Sequence, residues 1–195
     1  TRGPVAFSRP NTVVQGNLSR SVRDAARFYD VCAGVDPYDP TSLPSAGDWE
    51  ANLGTHDLAG LRVAVVPNLG GVTLEDGVEQ RIRDEAAALI ADNNMVQVNV
   101  DVRPPNLAAQ WMMGNLSTLL VELGDMWPSC AGDLTDEVAL GLYLSQAFYN
   151  LEAAAIAERQ RIELHEAMAT AFEQADFVIA STNPGPAFGA ERTKS

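Results

Sequence analysis

The sequence predicts an α/β fold, and three consecutive segments carry that prediction. Residues 61–66, LRVAVV, are short, nearly apolar and rich in β-branched residues, which is typical of a strand covered on both faces. Residues 76–92 place apolar side chains at helical spacing, whereas residues 96–102 alternate valine with polar residues, the period of a strand with one buried face. We therefore expect a βαβ unit over about 61–102, with parallel strands and a right-handed crossover.

Helices are predicted on both sides of this unit. Ser21 can cap a helix through its hydroxyl group, and Gly34 ends the apolar pattern that follows. In the helix at 76–92, Asp76 and Glu79 have the spacing of a capping box. The later helical region covers about 106–174: one helix over 107–123, then one long helix or two consecutive helices over 135–174. A short buried strand over 176–180 closes the regular structure.

Composition excludes several function classes. The 195 residues carry 13 Lys and Arg against 26 Asp and Glu, a formal net charge of −13, which repels nucleic acid and anionic lipid. No apolar run reaches the roughly 18 to 20 residues that span a bilayer. The two cysteines, Cys32 and Cys130, have no metal-binding or disulfide-framework spacing and favour a reducing, cytoplasmic location. We expect no nucleic-acid partner and no membrane partner.

Histidines and carboxylates give no metal or cofactor motif. His56 and His165 cannot be placed in one site, and Glu163, His165 and Glu166 do not present a helical i, i+4 pair to one ion. The turn at Gly70 follows a strand but lacks the phosphate-binding glycine patterns. We therefore expect no metal ion and no cofactor.

Two further groups could carry function, and each also has a structural interpretation. Ser181 and Thr182 follow a strand, where α/β proteins often place active groups, but no base is visible beside them. Trp111, Met112 and Met113 could line an apolar pocket, although a helix that covers a sheet would use the same residues as core. We favour the core interpretation for this second group.

Several motifs, in order, resemble the amidase signature family of serine amidohydrolases. Residues 16–26, GNLSRSVRDAA, are similar to the family's GPLARTVRDAA stretch, and residues 33–42, AGVDPYDPTS, to its AGxDPxDPTS stretch. Residues 61–66 resemble its LRIGV strand, residues 172–184 its FExxDxLLTPTxP segment, and residues 1–5 the segment after its Gly/Ser-rich signature. The resemblance covers essentially the whole chain and implies a mixed, largely parallel sheet flanked by helices, incomplete here, with 1–195 as one partial amidase-like domain.

The resemblance also implies that the catalytic residues of the family lie outside this sequence. The family uses a Ser–cis-Ser–Lys triad and an oxyanion hole of backbone amides to cleave amides through an acyl-serine. Those parts would precede Thr1, and the sequence contains neither a GGSS nor a GSIRxPA motif and only one lysine, Lys194. No catalytic residue is therefore assigned. Asn11 and Gln15 are the candidates for substrate contact, because amide side chains suit an amide substrate, although for either residue taken singly the more common role is to satisfy loop backbone.

Two functional hypotheses follow from the resemblance. The first is that the chain is the middle portion of an amidase whose substrate is a small-molecule amide. Its partners would be the remaining segments of the same enzyme, and a homodimer is possible. The second is a catalytically inactive amidase-like scaffold or small-molecule binding module.

Overall fold

A computed structural model describes residues 16–39 and 42–187 of the chain. Its helices and strands follow in the order α1, β1, α2, β2, α3, α4, α5, β3. Their bounds are Val22–Cys32, Arg62–Val65, Val78–Asp92, Val96–Val98, Ala108–Leu123, Asp136–Phe148, Leu151–Gln174 and Phe177–Ile179. Short 3₁₀ turns at Gly124–Met126 and Ser129–Asp133 separate α3 from α4.

The three strands form one parallel sheet in the order β2-β1-β3. Arg62 lies opposite Val96 of β2, and Val63 lies opposite Phe177 of β3. The β1–α2–β2 segment is therefore a βαβ unit, and the predicted α/β class with a largely parallel sheet is confirmed. β1 is the central strand, as its nearly apolar sequence predicts.

The chain divides into two compact units. One comprises residues 1–56 and 108–157, and the other comprises residues 57–107 and 158–195. The predicted assignment of 1–195 to one partial domain stays a prediction.

The sheet and its core belong to the second unit. Val63 and Ala64 of β1 are both 0% exposed, and because successive strand residues face opposite sides, both faces of the strand are covered. Ala64 packs in a cluster with Val100, Val102 and two small residues from the end of α5 and just after it, Ala171 and Ala175. Small side chains at these positions let the helix approach the sheet closely.

An ion pair joins the amino ends of β1 and β3. Arg62 donates from Nε to Asp176 Oδ2 at 3.2 Å and from Nη2 to Oδ1 at 2.9 Å, and its backbone N–H also donates to Oδ2 at 2.8 Å. The Arg62 guanidinium donates a further bond to the Glu173 carbonyl at 3.1 Å. Hydrogen bonds from the side chain and the backbone of Arg62 lower the pKa of Asp176 below its ordinary value.

The turn after β1 depends on Gly70. This residue has φ +77°, and a Cβ atom here would overlap the carbonyl group of Val102. Glycine is therefore required for two reasons, the left-handed backbone and the close approach of a second chain segment. The turn is thereby fixed against the residues that follow β2.

In the first unit, α3 and α4 pack against each other around a buried hydroxyl group. Ser145 is 1% exposed and donates from Oγ to the Met113 carbonyl at 2.9 Å. Its only proton is used there, so Ser117 donates to Ser145 Oγ across the 2.6 Å that separates the two oxygens. Leu142 of α4 is also fully buried. The buried hydroxyl is thus satisfied and joins the two helices.

The structure corrects several local predictions. Asp76 does not cap α2: the helix begins at Val78 after Gly77, whose φ is +82° and which makes no side-chain cap bond. The cap predicted at Ser21 is correct, with Asp24 N–H donating to its hydroxyl at 3.1 Å. The strand predicted over 96–102 is shorter, Val96–Val98, although Val100 and Val102 remain buried.

The structure decides one open alternative in the helical region and corrects one interpretation. Of the two alternatives for residues 135–174, two consecutive helices are confirmed, α4 and α5. Trp111 and Met112 are 53% and 43% exposed, so the core interpretation is wrong for these two side chains in the described part of the chain. The apolar stripe of α3 indicates a face suited to burial, but not which element covers it.

We expect Gly70→Ala to destabilise the chain by about 3–5 kcal/mol, because it combines a left-handed backbone with overlap against Val102. Gly60→Ala is the matched control: φ is +79°, but nothing lies within 4 Å of the added Cβ. The control should lose only about 1–2 kcal/mol. Urea unfolding of both variants measures the difference, and equal losses would contradict the close approach at Gly70.

We expect Ser145→Ala to destabilise the chain by about 1–2 kcal/mol, because the Ser117 hydroxyl loses its acceptor inside the helix pair. The double variant Ser117→Ala/Ser145→Ala should recover part of that loss, since it leaves no hydroxyl unpaired at the contact. Denaturant unfolding of the singles and the double measures the coupling. Strictly additive losses would show that the two hydroxyls do not interact.

We expect Asp176→Asn to lower stability at pH 7 and to have less effect in acid. The folded-state pKa of Asp176 is lowered, so its contribution is present above the unfolded pKa near 3.9 and is lost as pH falls through the folded pKa. Unfolding midpoints at pH 7 and pH 3 measure this. Asp101→Asn is the control, because its ion pair with Arg103 is largely exposed and contributes little. A wild-type advantage over Asp176→Asn that is equal at both pH values would contradict the assignment.

Candidate functional site

The carboxyl ends of β1 and β3 are the candidate functional site. The chain passes from β1 to β2 on one side and places β3 on the other side of β1. In open α/β sheets, ligands bind outside the carboxyl ends of the strands at such a reversal of strand order. The loops that follow β1 and β3 are therefore the candidate ligand site.

Backbone hydrogen bonds hold these two loops together. Val66 N–H donates to the Ile179 carbonyl at 2.9 Å, and Ser181 N–H donates to the Pro67 carbonyl at 2.9 Å. Further along, Glu75 N–H donates to the Pro184 carbonyl at 2.8 Å. These bonds extend the strand pairing beyond β1 and β3 and hold the two loops in a fixed position relative to each other.

A cleft of about 480 Å³ opens beside the loop after β1. Among the described residues, its lining contains three carboxylates and no cationic side chain. These lining residues are Asn68, Gly71, Val72, Thr73, Leu74, Glu75, Asp76, Gly77 and Glu79. Such a lining disfavours an anion and suits a neutral or cationic ligand. The amide of Asn68 has its oxygen occupied, because Gly70 N–H donates to Oδ1 at 3.0 Å.

The Ser181 hydroxyl lies at the site, and residues 16–39 and 42–187 give it no partner that could activate it. Its Oγ donates to the Asn183 carbonyl, so the proton is engaged with a neutral acceptor rather than with a base. The side chains of His56 and His165 make no hydrogen bond or ion pair within residues 16–39 and 42–187. Ser181 is therefore arranged for binding or for loop structure, not as an activated nucleophile.

The other candidate residues are distributed as follows. Asn11 and Gln15, the predicted substrate contacts, lie outside the described residues, as does Lys194. Among the described residues no group of three or more His, Cys, Asp or Glu could hold a metal ion. In that same part of the chain, no helix combines the length and apolar character needed to cross a bilayer.

Two residues of the site, Asn68 and Glu75, were not predicted from the sequence. Asn68 lies three positions after β1, much as Ser181 lies two positions after β3, so the carboxyl-end rule applied to β1 as well as β3 would have indicated it. Glu75 has no local signal, because its bond to Pro184 joins residues more than a hundred positions apart in sequence. Only the fold brings that pair together.

Comparisons with known proteins agree with this architecture. The family model described as Amidase matches residues 2–195. A glutamyl-tRNA(Gln) amidotransferase subunit from Renibacterium salmoninarum is 31% identical, across 89% of this chain and 40% of its own length. The corresponding subunit from Streptomyces avermitilis is 30% identical, across 95% of this chain and 42% of its own length.

A solved structure supports the fold independently. A bacterial aryl acylamidase described as belonging to the amidase signature enzymes superposes with a TM-score of 0.70 at 20% identity. The match covers 94% of this chain and 42% of the acylamidase. The chain thus spans about two fifths of the length of the relatives it matches. Since the family model covers nearly every residue of the sequence, this chain belongs to the Amidase family.

Proposed function

We propose that this chain is part of an amidohydrolase that cleaves the C–N bond of carboxylic amides through an acyl-serine intermediate. The observation that carries the proposal is the family match over residues 2–195. Formation and hydrolysis of an acyl-serine need a nucleophile, a base and an oxyanion hole. The whole reaction is therefore assigned to an enzyme of which this chain is one part.

We place the nucleophile and its base outside this sequence. Three observations support that placement: the only lysine is Lys194, the Ser181 hydroxyl faces a carbonyl rather than a base, and the relatives extend well beyond the matched region. In this proposal the chain contributes the sheet and the loops at its carboxyl edge. The remaining segments of the same enzyme are its partners.

The proposed substrate is a small, uncharged amide. Carboxylates lining the cleft beside Asn68 and the net charge of −13 disfavour acidic substrates. Asn11 and Gln15 remain the proposed substrate contacts, because their side chains offer both a donor and an acceptor to an amide group. The free thiols of Cys32 and Cys130 support a cytoplasmic location for the enzyme.

Relatives suggest two subtypes within this proposal. The sequence relatives are named as subunits of an amidotransferase, which favours an enzyme that works with other subunits. The solved relative is an aryl acylamidase, which favours hydrolysis of aryl amides. We favour the subunit interpretation, because it comes with the higher sequence identity; a homodimer stays the alternative assembly.

An inactive scaffold or binding module is the second candidate function. It is favoured by one observation, that Ser181 has no base beside it within the described residues. The two candidates differ in whether the protein, as its source makes it, forms an acyl-serine.

We expect the protein isolated from its source with an antibody against this chain to exceed 20.9 kDa, the mass of the sequence alone. We also expect it to react with a fluorophosphonate probe and to release ammonia or amine from simple aliphatic and aryl amides. The 195-residue chain alone should do neither, because it lacks the nucleophile and base.

Lys194→Ala in the native protein tests the placement of the base. It should keep its rate within about twofold, whereas loss of a true catalytic base lowers the rate by about 10²–10⁴. A loss of that size, or amide hydrolysis by the 195-residue chain alone, would overturn the placement outside this sequence. A native protein that neither reacts with the probe nor releases amine would favour the inactive scaffold.

A further inference from the structure

Helix α4 has a second apolar face in addition to the one that packs against α3. On the first face, Gly141, Leu142 and Ser145 are buried. The second, which we call the outer face of α4, consists of five exposed side chains: Leu140, Tyr143, Leu144, Ala147 and Phe148. Their spacing, i, i+3, i+4, i+7 and i+8, is that of a helix face that packs against another element. Residues 16–39 and 42–187 provide no such element for it.

The outer face is open and has an aromatic border. Leu140 and Phe148 are 60% and 62% exposed. Trp127 lies against the ring of Tyr143, with 4.7 Å between the ring centroids, and donates from Nε1 to Gln146 Oε1 at 3.2 Å. These contacts hold Trp127 along one side of α4. Contiguous exposed apolar surface of this kind marks an interaction site.

Only negative charge accompanies the outer face. Residues 104–157 contain no Lys, Arg or His and six carboxylates: Glu122, Asp125, Asp133, Asp136, Glu137 and Glu152. Asp136 and Glu137 precede Leu140 by four and three positions, so they lie on the same side of the helix at its amino end. Their side chains make no hydrogen bond or ion pair within residues 16–39 and 42–187. Charge complementarity therefore favours a cationic occupant.

The same charges disfavour two other occupants. A second copy of the chain would bring the same carboxylates and no cation from its own residues 104–157, and two chains of charge −13 repel each other. A helix that lies in a membrane interface is typically rich in Lys and Arg on its polar face, and this region has none.

The size of the outer face favours a segment of the same polypeptide over a separate protein. Its side chains offer on the order of 400 Å² of surface. Each partner in a stable protein–protein interface buries about 800 Å². A tethered segment has an effective concentration in the millimolar range, so it can occupy a smaller surface.

We propose that a cationic amphipathic helix from the remaining part of the same enzyme covers the outer face of α4. Its apolar side chains pack against Leu140, Leu144 and Phe148. Its Lys or Arg side chains pair with Asp136 and Glu137. The inference rests on the proposed function in one respect, that this chain is part of a larger enzyme. It does not depend on the reaction, because α4 and the sheet belong to different compact units.

Photo-crosslinking of the full-length native protein identifies the occupant. With p-benzoylphenylalanine in place of Leu144, irradiation and peptide mass spectrometry should find a link to a segment outside these 195 residues. That segment should have apolar residues at i, i+3 and i+4 and at least two Lys or Arg. A mixture of ¹⁴N- and ¹⁵N-labelled protein should give no link between light and heavy chains. The same label in place of Gln146 is the control, because it should link to Trp127 within this chain.

Leu144→Asn in the full-length protein should also lower the thermal unfolding midpoint by about 2–5 °C, since it places an amide against the covering helix. Leu151→Asn is the matched control, because Leu151 is 91% exposed and lies outside the outer face. It should change the midpoint by about 1 °C or less.

Four crosslinking results would overturn the inference: a light–heavy link, a link to lipid or another protein, a link to a segment without Lys or Arg, or no link from position 144 while position 146 reacts. An unchanged midpoint for Leu144→Asn would overturn it as well. Any of these results in a larger, amide-cleaving enzyme leaves the proposed function intact. A native protein of only 20.9 kDa would contradict both.

Discussion

The parallel pairing of β1 with strands on both sides is the constraint on which the sheet unit depends. Because Val63 and Ala64 are completely buried on opposite faces, β1 can be neither displaced nor shifted by one residue without exchanging its two faces. Arg62 then fixes the neighbouring strand through the carboxylate and backbone of residue 176. The register of β1 determines which residues emerge at the carboxyl edge, and so determines the geometry of the cleft beside Asn68.

The electrostatics of that cleft follow from its carboxylates. Among the described residues, its lining has Glu75, Asp76 and Glu79 and no cationic side chain. Such a lining does not favour an anion, which agrees with the acidic composition of the whole chain. The small, uncharged amide that we propose as substrate is compatible with this charge distribution.

Much of this arrangement could be predicted from local sequence, because its signals are local. Continuous β-branched residues identified β1 as central, and the capping hydroxyl of Ser21 identified the start of α1. The start of α2 was misplaced because an acidic pair resembles a capping box whether or not the backbone adopts the cap. The exposure of Trp111 was not predicted for another reason. Periodicity shows that one face of a helix is apolar, but it does not identify the element that packs against that face.

The site was harder to predict, since its parts come from distant positions. The bond from Glu75 to the Pro184 carbonyl and the close approach of Gly70 to Val102 arise only when β1, β2 and β3 are assembled. Arg62 and Asp176 are 114 positions apart. A ribosome therefore releases β1 long before β3 exists, and the two strands can pair only after the intervening residues have been synthesised. The β1–β3 half of the sheet is thus completed late in synthesis, whereas the βαβ half can form earlier from residues that are close in sequence.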